Sequence, residues 1–213
     1  RGGAMLGKAL RKIEYIIKTA KIFNRDAYRE EWFELAGKCP ARDNKFHLVE
    51  AIEWIKRAQD VNLGGGVARG YSITWNPYFR SKGWQPSYPE TTGYIIPTFF
   101  ESAKYFNDKD IYRRAVKMAE WEVNVQLKNG AVRGGTIIEG DPVPSVFCTG
   151  QVIFGLVRAY EEAKSNAFFE AAQKAGDYLL SVQDNEGRLQ EDSRYNFANR
   201  ESTVYHTRVA WSL

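Results

Sequence analysis

Apolar residues along much of the chain recur at a spacing of three and four positions, which places side chains on one face of an α-helix. The spacing holds from 94 to 102 and again from 111 to 125. The polar segment 107–110, Asn-Asp-Lys-Asp, separates the two stretches and contains the short residues that end one helix and cap the next. The pattern predicts a hairpin of two antiparallel helices.

This hairpin is repeated along the chain. Shifting residues 92–133 forward by 57 places apolar, small and amide residues on residues of the same kind. The matched pairs include Thr92 with Thr149, Gly93 with Gly150, Gln126 with Gln183 and Gly130 with Gly187. A third copy begins at 206–213, and Gln59 precedes Gln126 by one period plus ten residues. The repeated glutamines are predicted to bond to the crossover backbone and fix the helix ends, and core or inter-helix packing is predicted for Trp54, Trp121 and Tyr178. The period predicts an array of hairpins over 41–213, preceded by N-terminal helices within 1–40 that do not follow the repeat.

Long connections rich in proline, glycine and aromatic residues link each hairpin to the next and are expected at one end of the array. With segments 91–130, 148–187 and 205–213, the pattern resembles the α/α-toroid proteins. The resemblance implies an all-α fold, an (α/α) toroid of helical hairpins in a single domain over 1–213. Six hairpins of this period need about 340 residues, so we expect an incomplete ring with further residues at the C-terminus of the native protein.

Two branches of that architecture compete. One is the six-hairpin glycosidase-like group, which includes hydrolases, polysaccharide lyases and VpsJ-like polysaccharide biosynthesis proteins. The other contains squalene cyclases and protein prenyltransferases, whose Gln-x-x-x-Gly-x-Trp repeat is echoed at Gln126 and Gln183 but has Val132 and Leu189 in place of tryptophan. The chain also has no Asp-x-Asp-Asp motif and no histidine and cysteine spacing suited to zinc. These differences favour the first branch.

Composition narrows the possible partners. With 44% hydrophobic and 26% charged residues, the chain is typical of soluble globular proteins, and no apolar run is long enough to span a membrane. The formal charge of +4 is too mild and dispersed for a nucleic-acid binder. Two cysteines exclude a disulfide framework. We expect a carbohydrate partner, no cofactor and no resident metal, and we favour a cytoplasmic location.

Aromatic residues are concentrated in the first crossover, where Trp75, Tyr78, Trp84 and Tyr88 fall within fourteen residues. Their flat faces match the apolar C–H patches of sugar rings, so we predict that they bind substrate together with Arg80. The alternative is that these rings are lids packed over the helix ends. Gly64-Gly65-Gly66 in the same crossover lacks the context of a phosphate loop and is predicted to be a flexible turn.

Carboxylates near a helix start are candidate catalytic groups. Glu90 follows Pro89 at the beginning of a helix, where the dipole favours an ionised carboxylate that acts as a base or a nucleophile. Asp141 and Glu139 in the second crossover are its candidate partners, since glycoside hydrolysis needs two carboxyl groups about 5 to 9.5 Å apart. The alternatives are a simple helix charge for Glu90, a polar turn for the other two, or a Ca²⁺ bound by that turn.

Ionisable residues also mark the last crossover and the helix after it. His206 and Arg208 occupy the positions of Thr149 and Gln151 in the preceding repeat, and Tyr205 and Arg194 lie nearby. A histidine or tyrosine can move a proton beside a uronate carboxylate, which arginine binds in a bidentate manner. An N-cap or a packing histidine is the alternative for His206. Seven arginines share the crossover end, where they suit an acidic polymer or form salt bridges: Arg69, Arg80, Arg133, Arg188, Arg194, Arg200 and Arg208.

These observations predict a carbohydrate-active protein that acts on an acidic polysaccharide. A hydrolase would use Glu90 with Asp141 or Glu139, whereas a lyase or epimerase would use Tyr205, His206 or an arginine. Two further possibilities are a non-catalytic sugar-binding scaffold of a polysaccharide assembly system and an isoprenoid cyclase or prenyltransferase-like toroid. The last of these would require an apolar, aromatic-lined cavity.

Overall fold

The structure is a computed structural model that describes residues 10, 12–17, 24–37, 41–77, 79, 81–138, 140–190 and 206–213. The chain is mostly helical with little sheet, which confirms the all-α part of the predicted fold class. Contacts divide it into two compact units, Arg1–Ala51 with Gly70–Gln85 and Ile52–Arg69 with Pro86–Leu213. Within the described residues, no helix combines the length and apolarity needed to cross a bilayer.

The first unit combines N-terminal helices with a β-hairpin from the first crossover. Helix α1 is Arg25–Leu35, α2 is Asn44–Asp60, whose first half belongs to this unit, and residues 12–17 are also helical. Strands β1 (Tyr71–Asn76) and β2 (Ser81–Trp84) pair antiparallel, with Tyr71 opposite Trp84. The Asn24 side chain caps α1 and donates a 2.8 Å hydrogen bond to the Ile73 carbonyl, which fixes this helix end to β1.

The second unit contains the predicted hairpins. They are α3 (Pro89–Phe106) with α4 (Lys109–Val125) and α5 (Val146–Ala163) with α6 (Asn166–Ser181), followed by α7 (Thr207–Ala210). Each link turns at a residue in the left-handed region, Asn107 at φ 51° and Lys164 at φ 56°. Asp108 then caps α4 by accepting hydrogen bonds from two amides, as the polar link predicted. The second crossover forms a small hairpin of β3 (Val132–Arg133) and β4 (Pro144–Ser145).

The period of 57 residues in the sequence recurs in the contacts. The Gln126 amide donates to the Gly130 carbonyl at 2.8 Å and to the Ala171 carbonyl at 2.8 Å. Gln59 makes the same pair of bonds to the Gly65 and Arg114 carbonyls, and 114 is one period before 171. The repeated glutamines therefore tie each crossover to the outer helix of the next hairpin. Their predicted structural role is confirmed.

Helices α3, α5 and α7, the first helix of each repeat and here called the inner helices, pack through repeated glycines. A Cβ at Gly93 would meet the backbone of Val152 in α5, and a Cβ at Gly150 would meet Val209 in α7. Val152 and Val209 are also one period apart, so two successive pairs of inner helices use the same contact. Glycine is required at both positions because the helices approach closely. Buried Phe99, Phe100 and Leu156 fill the core around them.

Two predictions about aromatic and glycine positions need correction. Trp54 was expected to pack in the core or between helices, but it is 45% exposed, and the Arg57 guanidinium carbon lies 5.9 Å from the centre of its ring. Trp121 is buried as predicted, and its indole packs directly on Gly64 and Gly66. The triple glycine is therefore a closely packed turn, in which any side chain would displace the indole, and not simply a flexible one.

Candidate functional site

The candidate site is built around Glu90 in the first turn of α3. Pro89 begins the helix, and Tyr94 lies one turn further on the same face. The Tyr94 hydroxyl donates to Glu90 Oε1 at 2.9 Å, and the Tyr88 hydroxyl donates to Oε2. We refer to Tyr88, Glu90, Tyr94 and Cys148 as the Glu90 cluster. The carboxylate thus receives one phenol hydrogen bond on each oxygen.

Cys148 brings the second hairpin into this cluster. It lies in the first turn of α5, where Ser145 caps the helix. Its buried Sγ is 3.4 Å from the Tyr88 hydroxyl and 3.7 Å from Glu90 Oε2. The starts of α3 and α5 therefore meet at the carboxylate, since their side by side packing places both first turns at the same level.

The environment keeps both phenols protonated. Burial raises the pKa of Tyr88 far above its ordinary value, and the adjacent Cys148 and Glu90 raise it further. Burial and then the Glu90 charge also raise the pKa of Tyr94, while Arg208 opposes this shift. At neutral pH the two tyrosines are therefore hydrogen-bond donors, and Glu90 is the acceptor of the cluster.

Two arginines flank the Glu90 cluster. The guanidinium carbon of Arg69 lies 4.7 Å from the centre of the Tyr88 ring, and that of Arg208 lies 5.6 Å from the centre of the Tyr94 ring. Both arrangements are cation–π contacts. Arg69 is half-buried and Arg208 is exposed, so positive charge borders the carboxylate from two sides. An anionic group of a ligand would be attracted to this border.

The other described arginines of the crossover end have structural partners. Arg133 is buried and donates to the Ile137 carbonyl at 3.0 Å. This bond ties β3 to the turn between β3 and β4. Arg188 forms ion pairs with Asp184 at 3.1 Å and with Glu186 at 2.5 Å. For Arg188 the alternative of surface salt bridges is confirmed, whereas Arg133 bonds to backbone carbonyls, which neither prediction described.

Asp141 and His206 lie in different surroundings from Glu90. Asp141 is exposed in the turn between β3 and β4, and the hydrogen bonds described for Glu90 come from Tyr88, Tyr94 and Cys148. The paired-carboxylate mechanism stays a prediction. His206 is buried at the N-cap of α7, makes no side-chain capping bond, and lines a cleft of about 310 Å³ beside Arg188.

Two of the predicted stacking residues belong to the first unit. Trp75 is half-buried and lines an open groove of about 570 Å³ between β1 and α1, which contributes Glu30, Glu31 and Glu34. Trp84 packs edge to face on Tyr71 at a centroid distance of 5.1 Å. The Trp84 contact joins β1 to β2 within the crossover, so sugar stacking and the helix-end lid both stay predictions.

Five predicted site residues lie outside the described part of the chain: Tyr78, Arg80, Glu139, Arg194 and Tyr205. Among the described candidates, the structure brings Tyr88, Glu90 and Arg208 together. Sequence reasoning did not select Tyr94 or Cys148. Tyr94 could have been found, because it lies four residues after Glu90 and one period of the repeat before Gln151.

Neither metal-ligating side chains among the described residues nor comparisons with known proteins assign a function to this site. In the described residues, no group of three or more histidine, cysteine, aspartate or glutamate side chains is placed to hold a metal ion. No protein-family model, curated protein or solved structure matches this chain. The Glu90 cluster is therefore the feature of this chain from which a function can be inferred.

Proposed function

We propose that this chain is part of an (α/α) toroid that acts on an acidic polysaccharide at the Glu90 cluster. The recurring glutamine and glycine contacts support a ring. The same bond joins α2 to α4, from Gln59 to Arg114, and α4 to α6, from Gln126 to Ala171, which is what a regular rotation from one repeat to the next requires. A constant rotation bends an array of hairpins into a curved or closed arrangement.

One observation carries the functional proposal: a carboxylate with a phenol donor on each oxygen, bordered by two arginines. Such a carboxylate is oriented and able to accept a proton, and guanidinium groups bind carboxylates of a uronic acid. An isoprenoid site would need apolar walls at this place. The polar and charged residues around Glu90 favour a sugar acid instead.

The chemistry that fits best is proton transfer next to a uronate carboxylate. Arg208 and Arg69 would bind that carboxylate and stabilise the negative charge that develops on it. Glu90 would take the proton from the adjacent ring carbon. An epimerase would return a proton to the other face of that carbon. In a lyase, the electron pair left on the carbon would form a carbon–carbon double bond, while the neighbouring glycosidic oxygen leaves with the electrons of its own bond and takes up a proton.

The test is an assay with polygalacturonate, alginate and a glucuronate polymer, with starch as the neutral comparison. Three readouts separate the reactions: ultraviolet absorbance of an unsaturated uronate, deuterium incorporation from heavy water, and new reducing ends without unsaturation. We expect the first or the second with an acidic polymer only. Reducing ends alone would favour the hydrolase, and conversion of starch would overturn the acidic-sugar proposal.

Two variants locate the reaction in the protein. Glu90→Gln keeps the shape of the side chain but removes its ability to accept a proton, so turnover should be lost. Glu101→Gln is the matched control, because Glu101 lies in the same helix and is paired with Arg158 at the surface. Equal losses in both variants would show that the effect comes from folding and not from the site.

A further inference from the structure

Gln151 occupies a position of the repeat whose equivalents lie at the candidate site. Tyr94, Gln151 and Arg208 are spaced by one period each, so they occupy the same place in three successive inner helices. Tyr94 is bonded to Glu90, and the Arg208 guanidinium lies over the Tyr94 ring. Two of the three equivalent positions therefore belong to the candidate site or border it.

Helix α5, which carries Gln151, lies between the other two inner helices. It packs on α3 through Gly93 and Val152 and on α7 through Gly150 and Val209. The Tyr94 and Arg208 side chains nevertheless meet at 5.6 Å, so they come together across the start of α5. Equivalent positions of equivalently packed helices face the same side. The equivalence of the three positions therefore predicts that the Gln151 side chain faces the place where those two side chains meet.

The Gln151 side chain takes no part in the hydrogen bonds described for the fold. It is fully buried, and neither its amide nitrogen nor its amide oxygen has a hydrogen-bond partner within the part of the chain that the structure describes. The repeated structural glutamines differ in this respect. Gln59, Gln126 and Gln183 all donate to a crossover carbonyl at 2.8 to 2.9 Å. A buried amide without a partner is costly, and natural proteins rarely keep one without a function.

We infer that Gln151 is a specificity-determining residue that hydrogen-bonds the bound sugar. Its Nε2 would donate to a carboxylate or ring oxygen, and its Oε1 would accept from a sugar hydroxyl. This inference rests on the proposed function. Because the amide is enclosed in the free protein, a sugar must move side chains at the rim of the site, where Arg208 is exposed.

The test measures binding separately from turnover. Oligogalacturonate, oligoglucuronate and oligomers of alginate are titrated calorimetrically into Glu90→Gln and into the same protein carrying Gln151→Leu. Leucine has a similar volume and no amide. We expect Gln151→Leu to weaken binding at least tenfold while the melting temperature stays equal or rises, since a buried amide without a partner is removed. Gln173→Leu, at an exposed position of α6, is the control and should bind as well as Glu90→Gln alone.

Two results would overturn this inference. Unchanged affinity in Gln151→Leu would show that the amide does not contact the sugar. A fall of several degrees in its melting temperature would show that the amide serves the fold, for example through an enclosed water. Failure of the proposed function is distinct from both, because Glu90→Gln with Gln151 intact would then bind none of the three acidic sugars, oligomers of alginate included.

Discussion

The two hairpins of the second unit have the same framework but different chemistry. Thr92 and Thr149 occupy equivalent positions, and each accepts a hydrogen bond from a crossover amide, at 2.9 and 3.0 Å. Two residues before them, the first hairpin has Glu90 and the second has buried Phe147. Positions that keep their identity between the copies maintain the fold. Positions that depart from it contain the candidate chemistry.

The outer helices show the same contrast at a buried position. Glu122 in α4 is equivalent to Leu179 in α6, and both are fully buried. Burial raises the pKa of Glu122 well above its ordinary value, and neither carboxyl oxygen has a partner among the described residues. A departure from the repeat therefore has an energetic cost in the first hairpin that the second one avoids.

The largest expected loss of stability comes from a glycine that the repeat keeps. Gly130 has φ 88°, and a Cβ there would collide with the backbone carbonyl of Lys174. Because a helix carbonyl cannot move aside, Gly130→Ala should lower the free energy of unfolding by roughly 3–5 kcal/mol. Denaturant titration measures this change. Gly70→Ala is the control, since no atom lies within 4 Å of its Cβ, and a similar loss there would contradict the steric account.

Making the first hairpin resemble the second should stabilise the protein. Glu122→Leu introduces the residue of the equivalent position and removes a buried carboxyl without a partner, so we expect a gain of about 2–3 kcal/mol at neutral pH. Thermal or denaturant unfolding measures the gain. Glu120→Leu, at an exposed position of the same helix, should change stability by less than about 0.5 kcal/mol.

The gain from Glu122→Leu should depend on pH. The folded state holds the Glu122 proton more tightly than the unfolded state, whose carboxyl titrates near the ordinary 4.5. Wild-type stability therefore falls as pH rises above that value, by at most about 1.4 kcal/mol per pH unit from this group. The variant lacks this contribution, so its advantage should be largest at neutral pH and smallest in acid. An advantage that grew in acid would contradict the shift.

A smaller difference is expected between two structural glutamines. Gln126 donates to two carbonyls, whereas the bond described for Gln183 is to the Gly187 carbonyl alone and lies at the surface. Gln126→Leu should cost about 2 kcal/mol, and Gln183→Leu about 0.5–1 kcal/mol. Equal losses would show that the bond from Gln126 to the next hairpin contributes nothing to stability.

The helices and their pairing could be predicted because they leave a periodic signal in the sequence. Asp108 and the repeated glutamines have the predicted structural roles because their places at the helix ends follow from the same repeat. Strand β1 could have been predicted, because Tyr71–Asn76 alternates apolar and polar residues. Strands β2, β3 and β4 have four residues or fewer, which is too short for a pattern to be read. Glu90 was selected from its place after Pro89, but Cys148 contacts it from 58 residues away, and only the packing of α5 on α3 creates that contact.

The most direct test of the account is the maximal turnover of Glu90→Gln with the acidic polymer that the wild-type protein converts. Saturating substrate removes differences in binding, and a matching melting temperature confirms the fold. The account predicts a loss of about 10²–10⁴-fold, the usual contribution of a general base. Turnover within threefold of the wild type would show that this carboxylate accepts no proton in the reaction and would contradict the central claim.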